Sequence, residues 1–313
     1  MRRVSDDERG AVAVVVALVM VPLIAFAAIS VDLAGLWWDK QQLQTAADAG
    51  ALAIAQDCGV GACGSPAATA TSLAQQNSRS TDVTASVLSA GGGSVTVRTD
   101  STRQHAFAPV IGVPSSAVHA EATAAYGSPS GGTAVLPLVL SWCEFLAQTG
   151  GGLPSTSTER VIFLTKSSGV TGCTGPSGNA VPGGFGWLTV NAGSCRTRSV
   201  LNETLWSSTG EAVPNGCSTA DFAAVHNQTV LLPLYDQAGD SGSNAWYHVY
   251  GYAAFHVTGY HFVGQYSWNG GTTCKGSARC VKGYFTRFVS LDEAFSTSAS
   301  APALGAAVVT LSS

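Results

Sequence analysis

The residues most suggestive of chemistry lie in a short polar segment, Gly239–Gly242, which reads Gly-Asp-Ser-Gly. This tetrapeptide is typical of the nucleophile region of trypsin-like serine proteases. A serine nucleophile also needs a histidine base, an orienting aspartate and an oxyanion hole of backbone amides. Ser243 stands where that motif continues with glycine, and the upstream histidine at a plausible distance, His105, has no cysteine beside it. We therefore expect a polar hairpin loop here rather than a protease site.

Oxygen ligands for a metal ion occur in the same region. Asp236, Asp240 and Asn244 could surround a calcium ion, since hard cations take several oxygen ligands. Their spacing matches no EF-hand, and a turn rich in Gly, Asp and Asn forms without a metal. The sequence therefore predicts a turn rather than a calcium site.

Three histidines near the C-terminus are the candidate zinc ligands. His248 and His256 lie eight residues apart in the predicted strand Trp246–Thr258, on one face but too far apart to bind one ion directly. His261 lies beyond Gly259, so a zinc site would need ligands from elsewhere in the chain. We expect no metal, no cofactor and no catalytic residue.

The cysteines are the remaining reactive side chains. Their even number, eight, favours disulfides if the chain is exported. Short loops cost the least closure entropy, which favours Cys58–Cys63 and Cys274–Cys280, and less strongly Cys195–Cys217 and Cys143–Cys173. The connectivity itself does not follow from the sequence.

A long apolar stretch, Ala11–Leu36, precedes all of these candidate residues and determines on which side of a membrane they lie. It has no charged residue before Asp32, and about 20 apolar residues in a helix cross a bilayer core of roughly 30 Å. Trp37 and Trp38 follow at the depth where indole rings prefer to lie. We predict a transmembrane helix over residues 11–38.

The charges around this stretch predict its orientation. Arg2, Arg3 and Arg9 precede it, whereas only Lys40 follows before Arg79. By the positive-inside rule, residues 1–10 are cytoplasmic, and the protein is a single-pass membrane protein with an extracytoplasmic body. A cleaved signal peptide ending near Ala27 is the alternative, because Ala25-Phe26-Ala27 resembles a cleavage site. Both interpretations export the rest of the chain.

Composition excludes one class of partner. Charged residues make up 11% of the chain, against about 25% in average globular proteins. The formal net charge is −4, and there is no basic cluster that could bind nucleic acid.

The helix is expected to continue beyond the membrane to Gln56. Leu43, Ala47, Gly50 and Ile54 share one helical face. Ala47, Ala51 and Ala55 form a ridge of small side chains that lets another backbone approach closely. This face could pack on the chain's own body or on a helix of a neighbouring subunit.

The overall fold class predicted is α+β, with a long N-terminal helix and a β-rich extracytoplasmic body. Residues 39–127 form a helix plus a small α/β region, residues 128–133 a Gly/Pro/Ser linker, and residues 134–313 a β-rich domain. The elements predicted in the first region are a helix at Ser65–Asn77 and strands at Val83–Leu88, Ser94–Arg98 and Ala117–Tyr126. Those in the second are a short helix at Ser218–Val225 and strands at Val135–Leu140, Arg160–Lys166, Gly186–Val190, Thr229–Tyr235, Trp246–Thr258, Tyr260–Trp268 and Gly283–Leu291.

The N-terminal segment Glu8–Ala55 resembles the TadE/TadG-like proteins of Flp (tight adherence) pilus assembly. The family pattern appears as Arg9-Gly10, Val31-Asp32 and a Leu-Gln-x-Ala-Ala-Asp-Ala signature, which here comprises Leu43, Gln44, Ala46, Ala47, Asp48 and Ala49. The pieces Val95–Val97, Phe107–Gly112 and Val118–Ala124 also resemble elements that often follow. More weakly, Gly184–Leu188 and Val230–Asp236 resemble the C-terminal region of actinobacterial TadG-like proteins.

The resemblance implies a non-enzymatic envelope component of pilus assembly or anchoring, whose partners are the membrane and, through helix packing, other pilus-assembly proteins. A membrane-tethered, adhesin-like binding module is the alternative, and an exported hydrolase is the least favoured. Prepilin-like subunits are cut after a glycine and carry a glutamate five residues later. Here the fifth residue after Gly10 is Val15, so we expect no pilin-type processing.

Overall fold

The structure is a computed structural model that describes residues 9–164, 172–207, 209–262, 264–291 and 294–312. Arg2 and Arg3, on which the predicted orientation rests, lie outside these ranges, as does the end of the predicted strand 160–166. The chain divides into two compact units. The first comprises Met1–Ile54, Ser65–Ala124 and Leu311–Ser313, and the second Ala55–Gly64 and Ala125–Thr310. The α+β class, with a long apolar helix and a β-rich body, is confirmed.

The first helix, α1, runs from Arg9 to Gly59 and has two halves of different character. Apart from Ala28, which is partly buried, the side chains from Val12 to Val31 are exposed, and the most apolar 18-residue window has a mean hydropathy of 3.0 with none of it buried. By length and composition this half can span a membrane. Pro22 lies inside the helix.

The second half of α1 is packed inside the first unit. Leu43, Ala46, Gly50 and Ile54 recur on one face and are buried. A Cβ atom at Gly50 would lie 3.4 Å from Val97 Cγ1, an ordinary van der Waals distance, so this face of the helix packs directly against the sheet.

The ridge of small residues is not free to receive another subunit. Ala47, Ala51 and Ala55 have no exposed surface, because the chain itself covers them. Of the two alternatives for this face, packing on a helix of a neighbouring subunit is therefore wrong, and packing on the chain's own body holds. Small side chains permit close approach, but they do not determine which backbone approaches.

The rest of the first unit is a helix and a sheet. Its elements are α2 (Pro66–Asn77), β1 (Thr84–Gly91), β2 (Ser94–Gln104), a 3-10 turn (Ala108–Ile111) and β3 (Ser115–Gly127), whose last three residues belong to the second unit. The strands lie in the order β1-β2-β3, and β1 is antiparallel to β2. Alternate residues of β3, Val118 to Ala124, are buried, as a strand with one face on a core requires.

The regular secondary structure of the second unit is mostly strand. Its helices are α3 (Trp142–Thr149) and α4 (Thr219–Ala223), with a 3-10 turn at Gly242–Asn244. Its strands are β4 (Pro129–Ala134), β5 (Leu138–Ser141), β6 (Arg160–Phe163), β7 (Cys173–Thr174), β8 (Ala180–Val181), β9 (Phe185–Trp187), β10 (Thr197–Val200), β11 (Thr204–Trp206), β12 (Thr229–Gly239), β13 (Trp246–His261), β14 (Ser267–Trp268), β15 (Cys280–Thr286), β16 (Phe288–Ser290), β17 (Phe295–Thr297) and β18 (Ala306–Ser312), whose last two residues belong to the first unit.

The main sheet has the strand order β6-β15-β13-β12-β5-β9, and β11 and β14 also pair with β13. A smaller sheet has the order β10-β4-β17, β7 pairs with β8, and β16 runs parallel to β18. The largest core cluster covers one face of the main sheet with aromatic rings. Trp187, Phe222 and Phe262 contact one another there, with ring centroids 4.8–6.2 Å apart.

The segment predicted as a linker, residues 128–133, differs from expectation because most of it forms β4. A Cβ atom at Gly132 would lie 2.3 Å from Phe295 Cδ1, so the glycine leaves room for an aromatic ring from β17. Pro129 stands at the first position of the strand, where its missing N–H is tolerated. The glycines here serve close packing rather than flexibility.

The two strands predicted on either side of Gly259 are also corrected. A single strand, β13, continues through this glycine to His261, and its pairing with β15 shifts register between Val257 and Gly259. A Cβ atom at Gly259 would lie 2.5 Å from the carbonyl oxygen of Asn269, so the glycine marks a bulge and a close approach of backbone.

Four disulfides join all eight cysteines. They are Cys58–Cys63, Cys143–Cys173, Cys195–Cys217 and Cys274–Cys280. Each bridge lies within the second unit, and each closes a loop of at most 30 residues. These are the four pairs that the loop-closure argument considers.

Candidate functional site

Asp32, one of the residues on which the family resemblance rests, holds a loop of the sheet onto α1. Its carboxylate accepts hydrogen bonds from the backbone amides of Ala106 at 2.8 Å, Phe107 at 3.0 Å and Ala108 at 2.8 Å. Only 8% of Asp32 is exposed, although it is surrounded in sequence by exposed apolar residues. One carboxylate thus joins residues that are more than 70 positions apart in the chain.

The local structure explains why these amides need an acceptor. Ala108 begins the 3-10 turn Ala108–Ile111, and the first amides of a helical turn have no partner within it. A carboxylate at that end satisfies them, as an N-cap side chain does, with charge-assisted hydrogen bonds. The acceptor comes from α1, so the turn and the long helix fix each other.

Further along α1, polar side chains continue the attachment. The hydroxyl of Thr99 in β2 donates to the carbonyl of Leu43 at 2.9 Å, and Arg103 forms an ion pair with Asp39 at 3.3 Å. The Lys40 ammonium donates to the carbonyl of His119 in β3. The sheet is therefore attached to α1 from Asp32 to beyond Leu43.

The signature residues have distinct positions. Gln44 donates to Asp48 at 2.9 Å and to the carbonyl of Glu121 at 3.1 Å, whereas Leu43, Ala46 and Ala47 are buried in the core. Ala49 is partly buried. The sequence did not indicate that these residues lie where the helix packs on the sheet.

The Gly-Asp-Ser-Gly segment lies at a cavity of the second unit. The cavity has a volume of about 290 Å³, and Asp240, Ser241 and Gly242 line it together with Glu211 and Tyr247. No histidine is among the described residues that line it. His105 belongs to the first unit, where its Nε2 lies 2.8 Å from Ser116 Oγ. Among the described residues that line this cavity there is thus no histidine base for Ser241.

The three oxygen ligands considered for calcium are used differently. Asp236 is 1% exposed, its Oδ1 lies 2.7 Å from His248 Nδ1, and the Ser177 hydroxyl donates to its other oxygen. Asp240 adopts a left-handed backbone conformation with φ 54°, as turn residues do. Asn244 ends the 3-10 turn Gly242–Asn244.

The remaining candidate zinc ligands lie apart. His256 Nδ1 lies 3.0 Å from the Thr229 hydroxyl, and His261 Nδ1 lies 2.9 Å from that of Ser267. Over the described ranges, no three His, Cys, Asp or Glu side chains are placed to hold a metal ion.

Two groups were missed in the sequence. The Asp236–His248 pair, in which only the aspartate is fully buried, joins β12 and β13 where the strand register shifts between Tyr235 and Gln237. No local sequence signal indicates such a shift. The other is the loop Phe107–Val113, whose apolar side chains are exposed. The sequence signal for this loop is an apolar run that Pro109 and Gly112 interrupt, since these residues favour a turn over a continuous strand.

Comparison with known proteins finds one segment that is similar to a known family. Residues 10–57 match the Tad family, described as Flp pilus-assembly TadE/G-like. The match covers α1 from its beginning almost to its end, and includes Asp32 and the signature residues. The chain matches no curated protein and no solved structure.

Proposed function

We propose that this chain is a membrane-anchored, non-enzymatic component of Flp-type pilus assembly or anchoring. The observation that carries the proposal is the coincidence of the family match with α1. One half of that helix is apolar and exposed, and the other is the core of a folded unit. The helix thus connects a membrane to an extracytoplasmic body, and Asp32 holds the loop that begins at Ala106 against the helix.

The proposed orientation places the N-terminus in the cytoplasm, which rests on Arg2, Arg3 and Arg9. Reporter fusions after Gly127 test it. A reporter that is active only outside the cytoplasm should work there, and one that needs the cytoplasm should not. The opposite pair of results would reverse the topology.

The proposal assigns no catalysis to the cavity beside Ser241, whose described lining contains no histidine. Other pilus-assembly proteins remain the proposed partners. Since the buried face of α1 is occupied, we assign the contact with them to the exposed apolar half within the membrane and to the surface of the body.

A deletion strain complemented with variants tests the proposal. The full chain and Ser241→Ala should both restore pili, whereas Asp32→Ala should restore fewer, because it detaches the loop from the helix. If the deletion strain keeps normal pili, the assembly function is wrong. Normal pili with lost attachment would instead support the adhesin-like alternative, and failure of Ser241→Ala alone would indicate an enzyme.

A further inference from the structure

The loop Phe107–Val113, here called the apolar loop, exposes an unusual amount of apolar surface. Val110 is 89% exposed, Ile111 74% and Phe107 48%. From Ala106 to Pro114 the chain has no charged or polar side chain. Single exposed apolar residues are common, but a contiguous exposed group indicates a binding surface.

The position of the loop along α1 follows from the contacts of β2. This strand runs antiparallel to the helix: Thr99 contacts Leu43, Arg103 contacts Asp39, and Ala106–Ala108 contact Asp32. From Leu43 to Asp32 is about 16 Å along the helix axis, at 1.5 Å per residue. The strand therefore descends toward the apolar half of the helix.

The return strand ascends. In β3, the carbonyl of His119 contacts Lys40 and that of Glu121 contacts Gln44. The apolar loop is thus the lower end of a β2–β3 hairpin, at the level of Asp32 or below. Within the described stretch Val12–Val31, Ala28 is the one residue that is partly buried, and it lies one turn below Asp32 on the same face.

The tryptophans give the depth of this level. Trp37 and Trp38 are 63% and 51% exposed and lie five and six residues beyond Asp32. Indole rings concentrate at the membrane–water interface, so Asp32 lies about 8 Å closer to the bilayer centre than that belt. The three amides that bond Asp32 make this depth tolerable for a carboxylate, since polar groups near lipid need partners.

We propose that the apolar loop inserts into the outer interfacial region of the membrane beside α1, with lipid as the occupant of its exposed surface. This gives the first unit two membrane contacts, the helix and the loop, and so fixes its tilt and rotation on the bilayer. The inference rests on the membrane anchorage in the proposed function and adds a lipid-binding surface to it.

The test uses the full chain in phosphatidylcholine vesicles with an environment-sensitive fluorophore on one introduced cysteine. Ile111→Cys and Val110→Cys place the label in the apolar loop. Leu88→Cys is the matched control, because Leu88 is apolar and 54% exposed but lies far from the membrane-proximal end of the helix. Its neighbour Val87 pairs with Val97, and Val97 packs against Gly50 of α1. Gly50 is about 27 Å above Asp32 along the helix. The wild-type chain, whose cysteines are all paired, measures background labelling.

Labels at positions 110 and 111 should emit at shorter wavelength, be quenched several-fold more by nitroxide lipids than the label at position 88, and resist aqueous iodide. Iodide quenching at 110 and 111 equal to that at 88 would overturn the inference. Protection from both quenchers would also overturn it, since a protein surface would then cover the loop. Extraction of the wild-type chain by alkaline carbonate would instead show that the anchorage itself is wrong.

Discussion

The carboxylate of Asp32 and the backbone amide of Ala108 lie 2.8 Å apart although 76 positions separate them in the chain. A residue that marks the end of an apolar stretch in sequence is, in the fold, the acceptor for three amides of a loop. In this fold Asp32 therefore forms a junction between the helix α1 and the loop that begins at Ala106.

Replacing Asp32 tests this junction. Asp32→Ala leaves three amides without an acceptor, and a buried unsatisfied donor costs about 1–3 kcal/mol. We expect faster hydrogen exchange at Ala106–Ala108 and a destabilised first unit, with Asp32→Asn intermediate because its carbonyl oxygen still accepts. Asp39→Asn is the control, since its partly exposed pair with Arg103 should contribute at most about 1 kcal/mol. Unchanged exchange in Asp32→Ala would contradict the role.

The occupied face of α1 gives a second prediction. Ala47 is fully buried, so Ala47→Leu should destabilise the protein by about 1–3 kcal/mol through overpacking. Thr45→Leu is the matched control on the exposed side of the same helix and should change stability little. Thermal unfolding in detergent measures both. Equal stability of the two variants would mean that the face is not packed within the chain.

The disulfides give a third. Alkylation of the exported protein without reductant should label none of the eight cysteines. Replacing Cys195 and Cys217 together by serine should lower the free energy of unfolding by about 3 kcal/mol, because the bridge closes a loop of sequence separation 22. Replacing the pair Cys58 and Cys63, with a separation of 5, should cost less. Mapped bridges that join other cysteines would contradict the pairing.

Tyr252 makes the second unit sensitive to alkaline pH. Burial raises the pKa of its hydroxyl from 10.0 to about 12, although its hydrogen bond with Ser199 acts in the opposite direction. The unfolded chain ionises first, so the contribution to stability is complete below pH 10 and is lost as pH rises from about 10 to about 12.

The variant Tyr252→Phe separates this effect from others. It should be less stable near neutral pH by about 1 kcal/mol, because Ser199 loses its buried partner. The difference from wild type should shrink as pH approaches about 12, because phenylalanine does not ionise. Tyr126→Phe is the control, since Tyr126 is only partly buried and its removal should leave the alkaline loss intact. Urea unfolding across this pH range measures the free energies of unfolding. A constant difference between Tyr252→Phe and wild type would contradict the assignment of the alkaline loss to Tyr252.

Local signals predicted the elements of the first unit well. The uncharged apolar run and the face from Leu43 to Ile54 predict most of α1, and Ser65-Pro66 predicts the start of α2. The alternation in Ala117–Tyr126 predicts β3. In each case the evidence for the element lies within the element itself.

The failures share a different cause. Whether Gly132 belongs to a linker or a strand depends on Phe295, which is far away in the chain. On the buried face of α1, Gly50 likewise packs against Ala70 of α2 and Val97 of β2, which are distant in sequence. The partners of Asp32 are backbone amides, which every residue except proline has, so the sequence does not show which of them it binds. Contacts between distant residues leave no local sequence pattern. The family resemblance draws attention to Asp32, but the loop amides that it binds could not be derived from the sequence.

The last prediction concerns processing at Gly10. The residue five positions after it is Val15, so this helix has no carboxylate that could pair with the new N-terminal ammonium of a neighbouring subunit. A carboxylate in lipid is costly and is retained only where such a partner exists. We therefore expect the membrane-purified protein to keep the residues before Ala11 and to stay in the membrane rather than enter the fibre. N-terminal sequencing and intact mass, with a version lacking residues 2–10 as the size standard, measure this. A start at Ala11 would show pilin-type processing, and a start at Ala28 would show a secreted protein that has lost the helix segment before it.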